Sequence, residues 1–226
     1  MPDEITLPSG TPAYSAVPSD GRAPTRGVVV APDIGGLRPL FADMCQALAD
    51  DHGWAVCMPE PWPGRQDLSL EERLASVGGL DDSDVLGDLV AAADVTAAAL
   101  PEGAPVGVMG FCMGGMYTFK AAGTGRFDRA AAFYGMIRIP EQWQGEGQGA
   151  PLDAVTSDGA APVLAVIGTS DPWTPAADVD ALEATGAEVV RYAGADHGFV
   201  HDPSRPAHRA DYAADAWRRV ITWLGG

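Results

Sequence analysis

A cysteine in a glycine-rich sequence has the context of an enzymatic nucleophile. Cys112 lies in GFCMGG (residues 110–115), between an apolar run that predicts a strand and a stretch that predicts a helix. Glycines on either side let the strand and the helix approach closely, and the positive end of the helix favours a thiolate. The sequence therefore predicts a nucleophile elbow in which the N–H of Met113 points towards a forming oxyanion. The alternative is a buried cysteine beside helix-packing glycines.

Asp171 and His197 complete a catalytic triad in the chain order nucleophile, acid, base. Asp171 follows a predicted strand in GTSDPW (168–173), and His197 follows the next one in GADHGF (194–199). Both therefore lie past the carboxyl ends of strands, where open α/β sheets place their sites. Asp196 is the rival acid, but its side chain is expected to be directed elsewhere because it directly precedes His197. On its own, Asp171 could also be a turn residue or a helix cap.

A second oxyanion donor is expected from the loop after the first core strand, APDIGG (31–36), where the candidate is the N–H of Ile34. Asp33, in the same loop, would place a carboxylate close to Cys112. His197 and His201 are spaced i, i+4, a spacing that suits metal ligands on a helix. The glycine between them and the lack of an H-E-x-x-H pattern disfavour that interpretation, so no metal site is predicted.

Alternating apolar runs and helical patterns predict an α/β fold, with a mostly parallel twisted sheet and helices on both faces. The whole chain, residues 1–226, is assigned to one domain. Residues 11–17 are interpreted as an edge strand. The segment 136–161, rich in glycine and glutamine, is expected to be a loop that covers the site, with a solvated surface excursion as the alternative. The remaining strands are predicted at 28–31, 54–58, 106–109, 130–134, 163–167 and 188–192, and the helices at about 40–49, 84–100, 115–122 and 207–224.

The charge balance excludes some classes of partner. There are 14 Lys and Arg residues against 31 Asp and Glu, a formal net charge of −17. A surface this negative repels phosphate backbones and anionic lipid, so neither nucleic acid nor a membrane is expected as a partner. No apolar run reaches the roughly 20 residues of a membrane-spanning helix, and the acidic start of the chain does not resemble a secretory signal. We therefore expect a cytoplasmic protein, either a monomer or a homodimer.

Taken together, the motifs resemble those of the dienelactone hydrolase family, a cysteine-nucleophile branch of the α/β-hydrolases, from about Val28 to Leu224. The resemblance rests on GFCMGG (110–115), DPWTP (171–175), ADHGF (195–199) and PEPWPGR (59–65). It implies hydrolysis of a small ester or lactone with no cofactor. It also implies that Cys112 is the nucleophile, His197 the base and Asp171 the acid that orients it.

Two departures from the family pattern bear on the substrate. The family usually has a glutamate that pairs with the resting thiol where this chain has Asp33, and it has an arginine for a substrate carboxylate where this chain has His201. A second substrate arginine corresponds to Arg73. Further candidate substrate contacts are Arg65, Trp62, Trp143 and Trp173, although such aromatic residues are more often plain core.

A non-catalytic receptor or sensor built on a hydrolase fold is the main alternative, because a fold alone does not establish activity. The presence of nucleophile, acid, base and oxyanion loop together disfavours it. A metal-dependent hydrolase is a weaker alternative.

Overall fold

Eight strands form one sheet. The computed structural model describes residues 1–226. The strands are β1 (Asp3–Thr6), β2 (Pro12–Ala16), β3 (Arg26–Ala31), β4 (Trp54–Pro59), β5 (Val106–Phe111), β6 (Ala130–Phe133), β7 (Val163–Gly168) and β8 (Glu188–Tyr192). Their order in the sheet is β1-β2-β4-β3-β5-β6-β7-β8. The six strands β3 to β8 are all parallel to one another. At the other end of the sheet, β2 is antiparallel to both of its neighbours, β1 and β4.

Seven α-helices connect and cover the strands. They are α1 (Pro39–His52), α2 (Leu70–Ser76), α3 (Asp82–Ala98), α4 (Met113–Ala122), α5 (Pro151–Val155), α6 (Ala176–Glu183) and α7 (Ala210–Gly225). The chain moves in one direction across the sheet from β3 to β4 and in the other direction from β4 onwards. Because such crossovers are right-handed, α1 lies on the opposite face of the sheet from α3 and α4. No helix is both long enough and apolar enough to cross a membrane.

The central strands are apolar throughout because they are covered on both faces. Every residue of β4, β5, β6 and β7 is buried. The amphipathic α7 buries one side, with Ala213, Ala216, Val220 and Leu224 in the core. One continuous core runs from Leu7 to Leu224.

The amino-terminal strands correct one prediction. Residues 11–17 were predicted to form an edge strand, but β2 is paired on both sides, with β1 and β4. The edge strand is β1, whose short, mostly exposed sequence DEIT carries no apolar run that would reveal it. Pro12 fits β2 because it is the first residue of that strand, where proline is tolerated.

The segment 136–161 is more ordered than a plain loop. It contains a short 3-10 helix, Glu141–Trp143, and α5. It is also tied to the rest of the chain, because Gln148 Nε2 donates to the carbonyl oxygen of Val77 at 2.6 Å and the N–H of Gly149 donates to Asp82 Oδ2 at 2.8 Å.

Candidate active site

Cys112 lies at a sharp turn between β5 and α4. Its φ of 56° and ψ of −119° are values that residues with a side chain rarely adopt. A Cβ at Gly110 would lie 2.4 Å from the carbonyl oxygen of Gly114, and a Cβ at Gly114 would lie 2.1 Å from that of Ala31. Only glycine fits at both positions, so β5, α4 and the end of β3 meet at the cysteine. This is the geometry of a nucleophile elbow.

The two N–H groups predicted to hold an oxyanion belong to the two segments that meet at this turn, α4 and the loop after β3. Met113 is the first residue of α4, where an N–H has no acceptor within the helix. Ile34 lies in the loop after β3. Its carbonyl oxygen accepts hydrogen bonds from Trp62 Nε1 at 2.9 Å and from Arg73 Nη1 at 3.2 Å, which fix the position of the residue.

Trp62 and Arg73 do not form the substrate pocket that the sequence predicted, whereas Arg65 lines a cavity together with Met113. Trp62 is fully buried, and the Arg73 guanidinium binds three backbone carbonyl oxygens, among them that of Ile34. Arg65 lies over the Trp62 indole, 5.1 Å from its centre. Trp62 and Arg73 therefore stabilise the loops beside the elbow, because their polar groups are already engaged by the protein. Arg65 is exposed and makes no ion pair, so its substrate contact stays a prediction.

The imidazole of His197 is bonded to Asp171. Nδ1 of His197 lies 2.8 Å from Oδ2 of Asp171, whose other oxygen accepts the backbone N–H of Trp173 at 2.8 Å. The rival acid Asp196 is exposed and accepts only the backbone N–H of His197, at 2.7 Å. The structure thus brings Asp171, and not Asp196, to the imidazole ring.

The proton of the His197 imidazole is held firmly. Burial lowers the pKa of this group, but hydrogen bonds and charge interactions with Asp171 and Cys112 outweigh burial and raise the pKa from 6.5 to about 10. Because the pKa is raised in the folded chain, this pairing stabilises the fold fully below pH 6.5 and loses its contribution as the pH rises through about 10.

The predicted pairing of Asp33 with the Cys112 thiol is absent. Asp33 is bonded at both oxygens to Arg38, at 2.6 and 2.8 Å, and through Oδ2 to Nε2 of His201 at 2.8 Å. The other ring nitrogen of His201 bonds to the hydroxyl of Tyr134. The carboxylate is therefore committed to partners other than the thiol. His201 likewise has no free nitrogen for a substrate, which corrects its predicted substrate-binding role.

Two tryptophans bring the segment 136–161 to the site. Trp143 stacks on Trp173 with ring centres 5.2 Å apart and an interplanar angle of 18°. Trp173 in turn lies 6.4 Å from the ring of His197. The segment therefore contacts the wall of the site through Trp143, which is buried, and the predicted substrate contacts of both tryptophans stay predictions.

Some residues at the site had no signal in the sequence that pointed to their place. Arg38 contacts Asp33 across a loop, with no motif to mark the pair. Arg205 and Arg209 line a cavity of about 500 Å³ beside His197 and Trp173, although they belong to no recognisable pattern. Tyr134 belongs to no motif either, although its position just after β6 places it at the edge of the sheet that carries the site.

Comparison with known proteins places the chain among hydrolases. The model of the dienelactone hydrolase family matches residues 11–226. A Methylorubrum extorquens protein provisionally named carboxymethylenebutenolidase is 32% identical, over 94% of this chain and 76% of its own length. A Bradyrhizobium protein provisionally named 2-oxo-3-(5-oxofuran-2-ylidene)propanoate lactonase is 31% identical, over 94% of this chain and 88% of its own length.

Solved structures share the fold. A crystal structure from Klebsiella pneumoniae, provisionally titled dienelactone hydrolase, superposes with a TM-score of 0.85 at 27% identity, over 100% of this chain and 98% of that one. The thermophilic esterase Est2 of Thermogutta terrifontis superposes with a TM-score of 0.66 at 15% identity, over 99% of this chain and 92% of that one. The second likeness concerns the fold alone.

Asp171→Asn should lower the pKa of His197 by about one to two units, because it removes the carboxylate that is bonded to Nδ1. A pH titration of the imidazole ring by NMR measures this pKa, which is about 10 in the unaltered protein. Asp196→Asn is the matched control and should leave the pKa unchanged, because that side chain contacts only the backbone. A larger shift in the control than in Asp171→Asn would contradict the assignment of the acid.

Proposed function

Because the chain belongs to the dienelactone hydrolase family and has the α/β-hydrolase fold, we propose that its hydrolysis of esters and lactones proceeds through a covalent intermediate on Cys112. His197 is the base in this proposal and Asp171 its orienting acid. The observation that supports the proposal best is the hydrogen bond between the His197 imidazole and the Asp171 carboxylate, in an imidazole whose pKa is also raised by interaction with Cys112 at the strained turn.

In the first step the thiolate of Cys112 adds to the carbonyl carbon of the substrate. The carbonyl electron pair moves onto oxygen, where the N–H groups of Met113 and Ile34 stabilise the negative charge. Collapse of this intermediate breaks the bond to the alkoxide. The imidazolium of His197 gives its proton to that leaving oxygen, and an acyl thioester remains.

In the second step water attacks the thioester. The neutral imidazole of His197 takes a proton from water while the oxygen adds to the carbonyl carbon. The thiolate then leaves, a carboxylic acid is released and the imidazolium is restored. Asp171 accepts a hydrogen bond from Nδ1 throughout, so Nε2 is the nitrogen that exchanges protons. The triad, the substrate and water supply every proton and electron pair in this sequence.

The substrate is proposed to be a small, uncharged ester or lactone. The names of two relatives, a carboxymethylenebutenolidase and a lactonase, favour a lactone. The residues at the positions of the family's two substrate arginines are engaged, since His201 is bonded at both nitrogens and Arg73 binds three carbonyl oxygens. Arg205 and Arg209 share their cavity with Asp196, which offsets part of their charge.

A cytoplasmic location is also proposed. It rests on the three cysteines, which are all free, because disulfides are rare in that compartment.

Cys112→Ala should lower kcat for an activated ester by about 10³-fold or more, because the members of a triad act as a unit. Cys45→Ala is the matched control and should retain activity. Iodoacetamide should label Cys112 far faster than Cys45 or Cys57, because burial raises the pKa of both these thiols. Normal turnover by Cys112→Ala, or preferential labelling of Cys45, would refute the proposed nucleophile.

A matched pair of substrates tests the proposed substrate class. One is a lactone with a free carboxylate and the other is its methyl ester. The methyl ester should have the higher kcat/KM, because His201 and Arg73, at the positions of the family's substrate arginines, are engaged by the protein and the net charge of −17 slows an anion. A preference of about 100-fold for the carboxylate, roughly 2.7 kcal/mol, would show that an anion site exists.

A further inference from the structure

A buried chain of hydrogen bonds lies beside the triad and takes no part in the proposed chemistry. The hydroxyl of Tyr134 bonds to Nδ1 of His201, and Nε2 of His201 lies 2.8 Å from Oδ2 of Asp33. Arg38 holds the same carboxylate from the solvent side. Tyr134 is 0% exposed, His201 4% and Asp33 6%. Burying these polar groups is costly unless each keeps its partner, so the geometry is specific.

The positions of the protons in this chain of hydrogen bonds follow from the chemistry of its three side chains. Burial raises the pKa of Tyr134 well above its usual value, so the phenol keeps its proton and can donate to Nδ1 of His201. The proton of a neutral imidazole then lies on Nε2, from which it is donated to Asp33. Burial alone would raise the pKa of Asp33, but the bonds from His201 and Arg38 lower it well below its usual value, so the group is a carboxylate.

This chain of hydrogen bonds joins loops whose residues have different roles in the proposed reaction. Asp33 directly precedes Ile34, the second oxyanion donor. Tyr134 follows Phe133, whose carbonyl oxygen accepts the N–H of Cys112 at 3.1 Å. Tyr134 also has a φ of 41°, and with Cys112 it is one of two non-glycine residues with positive φ. Such a conformation persists where its surroundings over-determine it.

Two members of the hydrogen-bond chain also pack against residues on either side of the nucleophile. The ring of His201 stacks on Phe111, the residue before Cys112, with centres 4.8 Å apart. The ring of Tyr134 meets the His197 imidazole edge-on, with centres 5.2 Å apart. A shift of His201 would therefore disturb both the loop that carries Ile34 and the elbow that carries Cys112.

We propose that His201 is a positioning residue, which holds the N–H of Ile34 at the place of the oxyanion through its hydrogen bond to Asp33, with Tyr134 fixing the imidazole from the other side. This inference rests on the proposed function, because it assumes that an oxyanion forms beside Cys112. His201 acts on the rate of carbonyl chemistry and not on the binding of a substrate carboxylate.

The test compares His201→Phe with His201→Gln. Phenylalanine retains a ring to stack on Phe111 but offers neither a donor nor an acceptor. Glutamine can accept from Tyr134 and donate to Asp33, which is the pattern of the neutral imidazole. With a neutral activated ester, His201→Phe should lower kcat by about 30-fold with KM changed less than about threefold, since losing one oxyanion donor altogether costs about 10² or more. His201→Gln should recover most of the lost kcat.

Alkylation of Cys112 separates positioning from general damage. Iodoacetamide reacts with the thiolate at a saturated carbon and forms no oxyanion, so its rate in His201→Phe should stay within about threefold of the unaltered protein. Tyr134→Phe removes only the hydroxyl; it should lower kcat in the same direction by a smaller factor and leave alkylation unchanged. It serves as the test if His201→Phe does not fold.

Three results would overturn the inference: hydrolysis and alkylation that fall together, a glutamine variant as slow as the phenylalanine variant, or a rise in KM with kcat unchanged. Failure of the proposed function is distinguishable, because it would appear as hydrolysis that survives Cys112→Ala in the otherwise unaltered protein.

Discussion

The close contact between β5, α4 and the loop after β3 is the constraint on which the active site depends. It holds a cysteine at a φ of 56° between a strand and a helix, and the glycines at 110 and 114 make it possible because neither has a Cβ. Three consequences follow from this single contact. Cys112 lies just past the carboxyl end of β5, Met113 begins α4 directly after it, and the loop that carries Ile34 packs against the same turn.

The buried charged groups around this contact differ in what they can do because they have different partners. An imidazolium or a carboxylate that leaves water needs a partner, and the partner determines what the group can do. His197 is paired with Asp171 and Cys112, so it is available to the nucleophile. Asp33 is paired with Arg38 and His201, so it is unavailable to the thiol and stabilises the neighbouring loop. Two carboxylates at the same edge of the sheet therefore have different partners, and in the proposed mechanism these partners give them different roles.

Local sequence determines how much of this could be predicted. The elbow, the strands from β3 onwards and the chain order of the triad are encoded in short segments, and they were predicted. Asp171 was preferred to Asp196 as the acid because adjacent residues in a chain rarely direct their side chains to one point, and Asp171 is the carboxylate bonded to His197. The partners of Asp33 could not be predicted, since His201 lies 168 residues away and only the folded sheet brings the two together. The edge strand β1 was missed because its residues are mostly exposed and carry no apolar pattern.

Trapping of an acyl group on Cys112 tests the central claim most directly. The protein is mixed with an activated ester, quenched in acid within milliseconds, digested, and examined by mass spectrometry for the peptide that carries the acyl group. The account predicts a thioester on the peptide that contains Cys112, formed at the rate of the first product and lost at the rate of the second. An acyl group on another residue, or release of the first product while Cys112 stays unmodified, would contradict it.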